Sequence, residues 1–396
     1  LYARSVASDR KHVLFIDDAV PVRIAGSGFV RANDLIAAMT AIGFAVTVYP
    51  LATPEFSRFS LAPDLAETVE VIQNGTASRL AQFLRERPGV YDVLWVARTH
   101  NLELVCFALE DALENSPRPL LILDTEAIAA IRDAERARMT QQPFDLDAAL
   151  AAELRHAALC QHIVAVSRRE AEILDRRGFA DVTVIGHVRD VRLTGRRYAD
   201  RSGMLFVGAI HEIGSPNHDG LCWLIDEVLP LVERELGWQT RLTVAGYLAP
   251  GVSLEGYRNH PRVTLCGPVT DITPLYDSHR VFVAPTRFAA GAPYKVHEAA
   301  SFGLPIVATD VLNAQLEWQC ETDILVAGST DPVEFSRHLV RLQRNEALWQ
   351  KLRAAAAARI TAENGRDRYS EALRRVLGSP IRSPAVPSGD VLKPVL

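Results

Sequence analysis

Two runs of alternating apolar strands and amphipathic helices, set on either side of a short arginine-rich stretch, constrain this chain more than any other feature. The first run opens with the strand Val13-Leu14-Phe15-Ile16, which ends at Asp17-Asp18. A loop containing Gly26-Ser27-Gly28 follows, then an amphipathic helix over 30–42 broken by Gly43, and a second strand over 45–49. Such a βαβ opening seeds a parallel sheet, because parallel neighbours need a crossover between them. Strands over 91–97, 119–123, 162–166 and 182–185, with helices over 102–113 and 132–159, continue the alternation. Residues 187–203 then carry arginines at 189, 192, 196, 197 and 201 with almost no apolar period, and read as a solvated interdomain linker. Beyond them, strands are expected over 204–207, 241–245, 263–266, 281–284, 306–308 and 324–326, with a helix over 219–234.

At 396 residues and 48% hydrophobic content the chain is long enough and apolar enough for two cores. The expected fold class is therefore α/β, with two Rossmann-like doubly wound domains facing a central cleft: residues 1–186, the linker 187–203, and residues 204–366. The last 19 residues, 378–396, are rich in proline and serine and are expected to be disordered.

Chemistry concentrates between Val281 and Thr309, VFVAPTRFAAGAPYKVHEAASFGLPIVAT. An apolar strand ends at Pro285, and a loop with Arg287 and Gly291 leads into a helix carrying Lys295 and Glu298. Gly303-Leu304-Pro305 stops that helix before the next strand. Lys295 and Glu298 lie three apart on a helix, so they are expected to share a face. A cation near a helix N-terminus suits phosphates, and a carboxylate suits two ribose hydroxyls. Together they describe a site for a nucleotide sugar.

This segment resembles the donor site of GT4-type retaining glycosyltransferases, which have the GT-B fold. It is most similar to a bacterial polysaccharide and O-antigen subgroup reading R-x-G-A-G-x-K-x-K-V-x-E-A before a G-L-P-V-V strand. Arg287, Gly291, Lys295, Glu298, Ala299 and Gly303-Leu304-Pro305 fall on that pattern. Ala290 replaces the glutamate that the wider family places eight residues before the second one, and Pro293 replaces the first subgroup lysine. The resemblance implies a hexosyltransferase-like enzyme that moves a sugar from a nucleotide diphosphate donor to a hydroxyl of a growing bacterial surface glycan, with retention. It also implies that residues 367–377 form a helix crossing back to the first domain.

Further matches extend the candidate list. Gly208 and Gly267 end strands, where a missing side chain would let a nucleotide approach the backbone. Gly267-Pro268-Val269-Thr270 with Leu275-Tyr276 resembles the family's base-binding turn and following helix, which makes Val269 a donor contact. Phe206-Val207-Gly208 with Pro216-Asn217-His218-Asp219 resembles a subgroup element in which Asn217 either caps a helix or touches the donor. Gly26, Ser27 and Gly28 form either a phosphate cradle or a plain turn; the family resemblance implies the cradle and adds Arg31 and Asn33. His100 follows a buried strand, at its carboxyl end, and is a candidate to touch acceptor or donor sugar. Asp124 and Glu126 follow the next strand, and Asp124-Thr125-Glu126 with Arg132 resembles a further subgroup motif. The catalytic candidates are thus His100, Asp124, Glu126, Arg287 and Lys295.

No Asp-x-Asp pair stands in a metal-binding context, since Asp145-Leu146-Asp147 falls in a helical stretch. We accordingly expect no metal and no cofactor beyond the nucleotide diphosphate sugar as co-substrate, with Arg287 and Lys295 stabilising the leaving diphosphate. The expected partners are that nucleotide sugar and a glycan or lipid-linked glycan acceptor. A net charge of −5 gives no reason to expect nucleic acid. The start at Leu1-Tyr2-Ala3-Arg4, without methionine, suggests a domain of a longer polypeptide with other domains as partners. No apolar run is long enough to span a membrane. The five scattered cysteines read as buried free thiols in a cytoplasm, with the inner face of the cytoplasmic membrane a candidate location. A nicotinamide enzyme is excluded: Gly26-Ser27-Gly28 stands well past the first strand, and Tyr49-Pro50 ends the second where an acid would be needed. Two rivals remain: a GT-B-fold sugar-nucleotide epimerase, and a catalytically weak module within a larger polysaccharide-assembly protein.

Overall fold

The computed structural model describes residues 10–23, 27–52, 64–114 and 119–378. Gly26 and the tail beyond Gly378 lie outside the described residues. The chain divides into two compact units, one of residues 1–130, 145–186 and 367–396, the other of residues 131–144 and 187–366.

Strands His12–Asp17 (β1), Ala45–Pro50 (β2), Glu70–Val71 (β3), Val93–Ala97 (β4), Leu120–Asp124 (β5), His162–Ala165 (β6) and Val182–Val184 (β7) build the sheet of the first unit. Among the described residues that sheet has seven strands in the order β3-β2-β1-β4-β5-β6-β7, and the neighbours pair in parallel. β1, β4 and β5 are buried along their whole length. Central strands of a parallel sheet read as unbroken apolar runs because helices cover both faces. The order reverses between β1 and β4, which makes the carboxyl ends of these two strands the switch point of the sheet.

The second unit repeats the scheme with Met204–Val207 (β8), Leu242–Ala245 (β9), Val263–Gly267 (β10), Val281–Ala284 (β11), Ile306–Thr309 (β12) and Leu325–Ala327 (β13). Their order is β10-β9-β8-β11-β12-β13, again parallel, with the switch point between β8 and β11. Alternation of side chains splits the core into two layers. Met204, Phe206, Val281 and Val283 pack on one face with Leu339 and Trp349, while Leu205, Phe282 and Ala284 pack on the other with Val296 and Ile360.

Several details depart from the sequence reading. The helical stretch expected over 132–159 is two helices, Ala129–Met139 and Leu146–Glu153, interrupted before Pro143 and restarted where the Asp145 side chain accepts from the Ala148 amide at 3.0 Å. Residues 131–144 belong to the second unit rather than the first. The helix expected over 219–234 runs instead through Pro216–Trp223, a widened π turn Leu224–Val228, and Leu229–Leu236. Pro230 has no N–H to offer the preceding turn, and the helix accommodates it there. Strand β3 and the helices Leu80–Arg85 and Arg168–Arg176 were not foreseen.

The stretch 187–203 is largely exposed, and it is anchored to the rest of the second unit at a few points by guanidinium groups that donate to backbone carbonyls. Arg201, 1% exposed, donates to the carbonyls of Arg196, Tyr276 and His279, and Arg353 donates to those of Thr194 and Arg196. Five donors on one planar cation explain how an arginine-rich segment can be ordered without apolar periodicity. All five cysteines are free, but Cys266 and Cys320 are exposed rather than buried. Cys266 lies on the edge strand β10, where every second side chain points outward. Among the described residues no helix is long and apolar enough to cross a membrane.

Candidate functional site

In the second unit, candidates gather at the carboxyl ends of β8 and β11. Arg287 leaves the loop after β11 and makes a two-pronged ion pair with Asp219, its Nε and Nη2 donating to the two carboxylate oxygens at 2.8 and 2.6 Å. Its guanidinium carbon also lies 5.7 Å from the Trp223 ring centre. Lys295, second residue of the helix Tyr294–Ser301, donates from Nζ to Asn217 Oδ1 and, at 3.0 Å, to Thr286 Oγ1. Burial pushes its pKa down to about 8, since desolvation penalises the ammonium form.

Asp219 and Asn217 both come from the helix Pro216–Trp223, whose approach to β11 depends on Gly220. A Cβ at Gly220 would stand 2.5 Å from the Pro285 carbonyl oxygen, so only glycine lets helix and loop meet. Asn217 anchors itself by donating from Nδ2 to the Ala209 carbonyl at 2.7 Å. A helix-capping role for its side chain is not what the geometry gives: Ser215 is the N-cap residue.

Lys295 and Glu298 start from one helix but diverge to different partners. Glu298 is gripped by three donors: the Arg189 guanidinium and the Tyr294 hydroxyl on Oε1, and the Tyr276 hydroxyl on Oε2, the two tyrosines at 3.0 Å. Tyr276 is fully buried, stacks on Phe302 with ring centres 4.7 Å apart, and has its phenol pushed well above the ordinary range by burial and by Glu298. It enters from the short helix Thr273–Ser278, just beyond the Gly267-Pro268-Val269 turn, in which Val269 is half-buried.

Three strand-end glycines behave differently. A Cβ on Gly208 would meet the Asn217 side chain at 3.0 Å, so the space beside Gly208 is already taken by Asn217. Gly267 has φ 68° and open space around it. Gly246, which follows β9, has φ 145°, and any Cβ there would overlap the Gly208 carbonyl. Gly291 has φ 80° and is buried in the loop leading to Lys295.

In the first unit, a second cluster occupies the carboxyl ends of β1, β4 and β5. Arg98, at φ 73°, donates from Nε to Asp17 Oδ1 at 2.9 Å, and its Nη2 lies 3.0 Å from Glu126 Oε2. Nε also lies 3.2 Å from Asp18, whose other oxygen is 2.7 Å from His100 Nε2. Burial opposes ionisation of Asp18, yet hydrogen bonding from His100 and the charge of Arg98 hold its pKa below the usual value. Glu126, 7% exposed at its side chain, is pushed up to about 8, chiefly by desolvation and against the pull of Arg98. Asp17 is fully buried and raised for the same first reason. Gly28 abuts this pair, since a Cβ there would stand 3.1 Å from Glu126 and 3.2 Å from Arg98. Ser27 begins the helix Ser27–Ala41.

The other candidates are buried, apart from Arg132. Asp124 is fully buried, accepting from Arg31 at 2.7 Å and from Trp95 Nε1 at 3.3 Å, while Arg31 also donates to the Ile185 carbonyl. Asn33 is buried and accepts from Arg23. Arg132 is half-exposed and pairs with its neighbour Asp133. Sequence reasoning gave no role to Arg98, Asp17, Asp18, Asp219, Thr286 or Arg189. Their signal was positional: each stands just beyond a strand's carboxyl end, opens a helix, or lies in the arginine stretch.

Residues 201–345 match the model of the family described as glycosyl transferases group 1. No curated protein sequence matches the chain. Among solved structures, sucrose-phosphate synthase from Thermosynechococcus elongatus superposes with a TM-score of 0.71 at 15% identity, covering 93% of this chain and 98% of that one. The Anabaena protein HepE, in complex with UDP-glucose, gives 0.70 at 15% identity over 93% and 99%. A glycosyltransferase from Rickettsia africae gives 0.63 at 11% identity over 94% and 100%. The chain therefore has the GT-B fold of these structures, and within it residues 201–345 are similar to the group 1 glycosyl transferases.

Proposed function

We propose that this chain transfers a sugar from a nucleotide diphosphate donor to a hydroxyl of a growing bacterial surface glycan, with retention at the anomeric carbon and without a metal. The observation that carries the reading is the pair of cations, Lys295 and Arg287, held beside the β8–β11 switch point of a domain similar to the group 1 glycosyl transferases. In the reaction the bond from the anomeric carbon to the diphosphate oxygen breaks, and a bond to the acceptor oxygen forms. The acceptor proton passes to the departing phosphate. Arg287 and Lys295 stabilise the charge that grows on that diphosphate, and Glu298 receives the ribose hydroxyls. On the acceptor side we place His100 and Glu126 at work, in the cytoplasm or at the inner face of the membrane. The solved HepE complex contains UDP-glucose, which makes UDP-glucose a sensible first donor to try.

A screen of UDP-, GDP- and dTDP-sugars with hydroxyl acceptors, products identified by mass spectrometry, tests the proposal. Transfer from one donor supports it. Ala290, in place of the usual donor-sugar glutamate, favours a second reading as a module that binds a nucleotide sugar without transferring it. Donor binding with no product from any acceptor would select that reading.

A further inference from the structure

One helix turn reaches both cations of the proposed donor site. Asn217 and Asp219, two residues apart at the start of the helix Pro216–Trp223, meet Lys295 and Arg287 respectively. Gly220 brings this helix against the Pro285 carbonyl, and the Asn217 Nδ2 bond to Ala209 fixes its start to the end of β8. Lys295 and Arg287 come from the other side of the switch point, after β11. We propose that Asn217 and Asp219 are positioning residues: Asp219 aims Arg287, and Asn217, a neutral amide, holds Lys295 without supplying a charge to keep it protonated. This rests on the donor-site reading above.

Each half of the arrangement follows from chemistry. A guanidinium held by two carboxylate oxygens has its plane and direction set, which a single contact would not achieve. For Lys295 the partners of Nζ are an amide oxygen and a hydroxyl, both neutral. The charged groups on the elements around it are engaged elsewhere: Asp219 with Arg287, and Glu298 with Arg189, Tyr276 and Tyr294. With no carboxylate to offset desolvation, the ammonium form is favoured below about pH 8 and lost above it. Diphosphate affinity then falls as pH rises through that value, because the neutral amine no longer attracts phosphate.

Calorimetric binding of UDP, GDP and dTDP, at pH values from well below to well above 8, tests this with the intact chain. In the wild-type protein the affinity for whichever diphosphate binds falls with a midpoint near 8. Asn217→Asp moves the midpoint upward, since a carboxylate beside Nζ keeps the lysine charged, even though overall affinity drops. Asp219→Asn lowers affinity by about tenfold, and Asp219→Glu recovers part of it. A purely structural role for the helix would lower melting temperatures without moving the midpoint. Unchanged midpoint in Asn217→Asp together with unchanged affinity in Asp219→Asn overturns the inference. If Asp219→Asn does not fold, the Asn217→Asp midpoint decides alone. Wild-type protein that binds none of the three diphosphates defeats the donor reading and this inference with it.

Discussion

Arg98 reaches Glu126 at 3.0 Å from a backbone held at φ 73°, a left-handed conformation that a long side chain rarely adopts. The same guanidinium binds Asp17 on the neighbouring strand, so one cation serves two buried carboxylates. Strained backbone kept in place by such contacts is a frequent mark of a working site.

The protonation of Glu126 should be visible in stability. Its folded pKa, about 8, lies above the ordinary carboxyl value of 4.5, so between these values the folded chain binds more protons than the unfolded one. Stability from this group is therefore present at low pH and lost as pH climbs toward 8. Melting temperatures measured across that interval should decline, and Glu126→Gln should flatten the decline. A variant with the wild-type slope would contradict the assignment. Arg98→Ala removes the cation that pairs with buried Asp17 and should cost about 3–5 kcal/mol.

Asp124 and His100 should separate cleanly. Asp124 anchors buried Arg31, so Asp124→Asn should destabilise the first unit by about 3 kcal/mol. His100 is 60% exposed at its side chain, and His100→Ala should leave melting nearly unchanged while lowering sugar transfer. Denaturant unfolding and a transfer assay on the two variants read this out. Full transfer activity in His100→Ala would move the acceptor contact elsewhere.

Glu298→Ala should weaken nucleoside diphosphate binding by about 1.5–3 kcal/mol, the range for hydrogen bonds to a charged group. Tyr276→Phe removes one of the three donors that hold the carboxylate and should weaken it less. Equal calorimetric affinities in wild type and Glu298→Ala would remove Glu298 from the ribose site.

Lys295→Ala and Arg287→Ala should each lower kcat by about 10²–10³, the scale for losing a donor to a developing oxyanion. Binding of the free nucleoside, which lacks the diphosphate, should change little. Chelator-treated enzyme should keep its activity. Activity abolished by chelator but kept in both variants would overturn the metal-free mechanism.

Removing residues 366 onward deletes the helix Arg366–Leu377, which buries Tyr369, Leu373, Val376 and Leu377. At about 1.5–3 kcal/mol for each such side chain, the truncated chain should lose several kcal/mol. An unchanged melting curve would show that this helix is not part of the fold's core.

The strands were the most legible part of the chain. Buried parallel strands such as Val281–Ala284 declare themselves by unbroken apolar runs, and Gly303-Leu304-Pro305 marks a helix end by chemistry alone. Strand β3, two residues long, has no periodicity to detect. The break before Asp145 was signalled by the polar run Thr140-Gln141-Gln142 and Pro143, which the apolar spacing on both sides outweighed in the reading. In the site, Arg287, Lys295 and Glu298 could be picked out from residue type and spacing. Their partners Asp219, Asn217 and Arg189 lie 68, 78 and 109 residues away, and pairings at that range appear only once the sheet order is known. Among the arginines of 187–203 composition could not single out Arg201, which is buried against carbonyl acceptors while Arg192, Arg196 and Arg197 are exposed.

Gly246 carries a consequence for heredity. Its hydrogen atom occupies the room that any side chain's first carbon would need, against the Gly208 carbonyl, and its φ of 145° suits no L-residue with a Cβ. Every missense change at this codon should therefore behave alike, whatever the chemistry of the incoming residue. In a saturation library selected for function, position 246 should be empty of survivors, while chemically richer neighbours such as Tyr247 tolerate exchange.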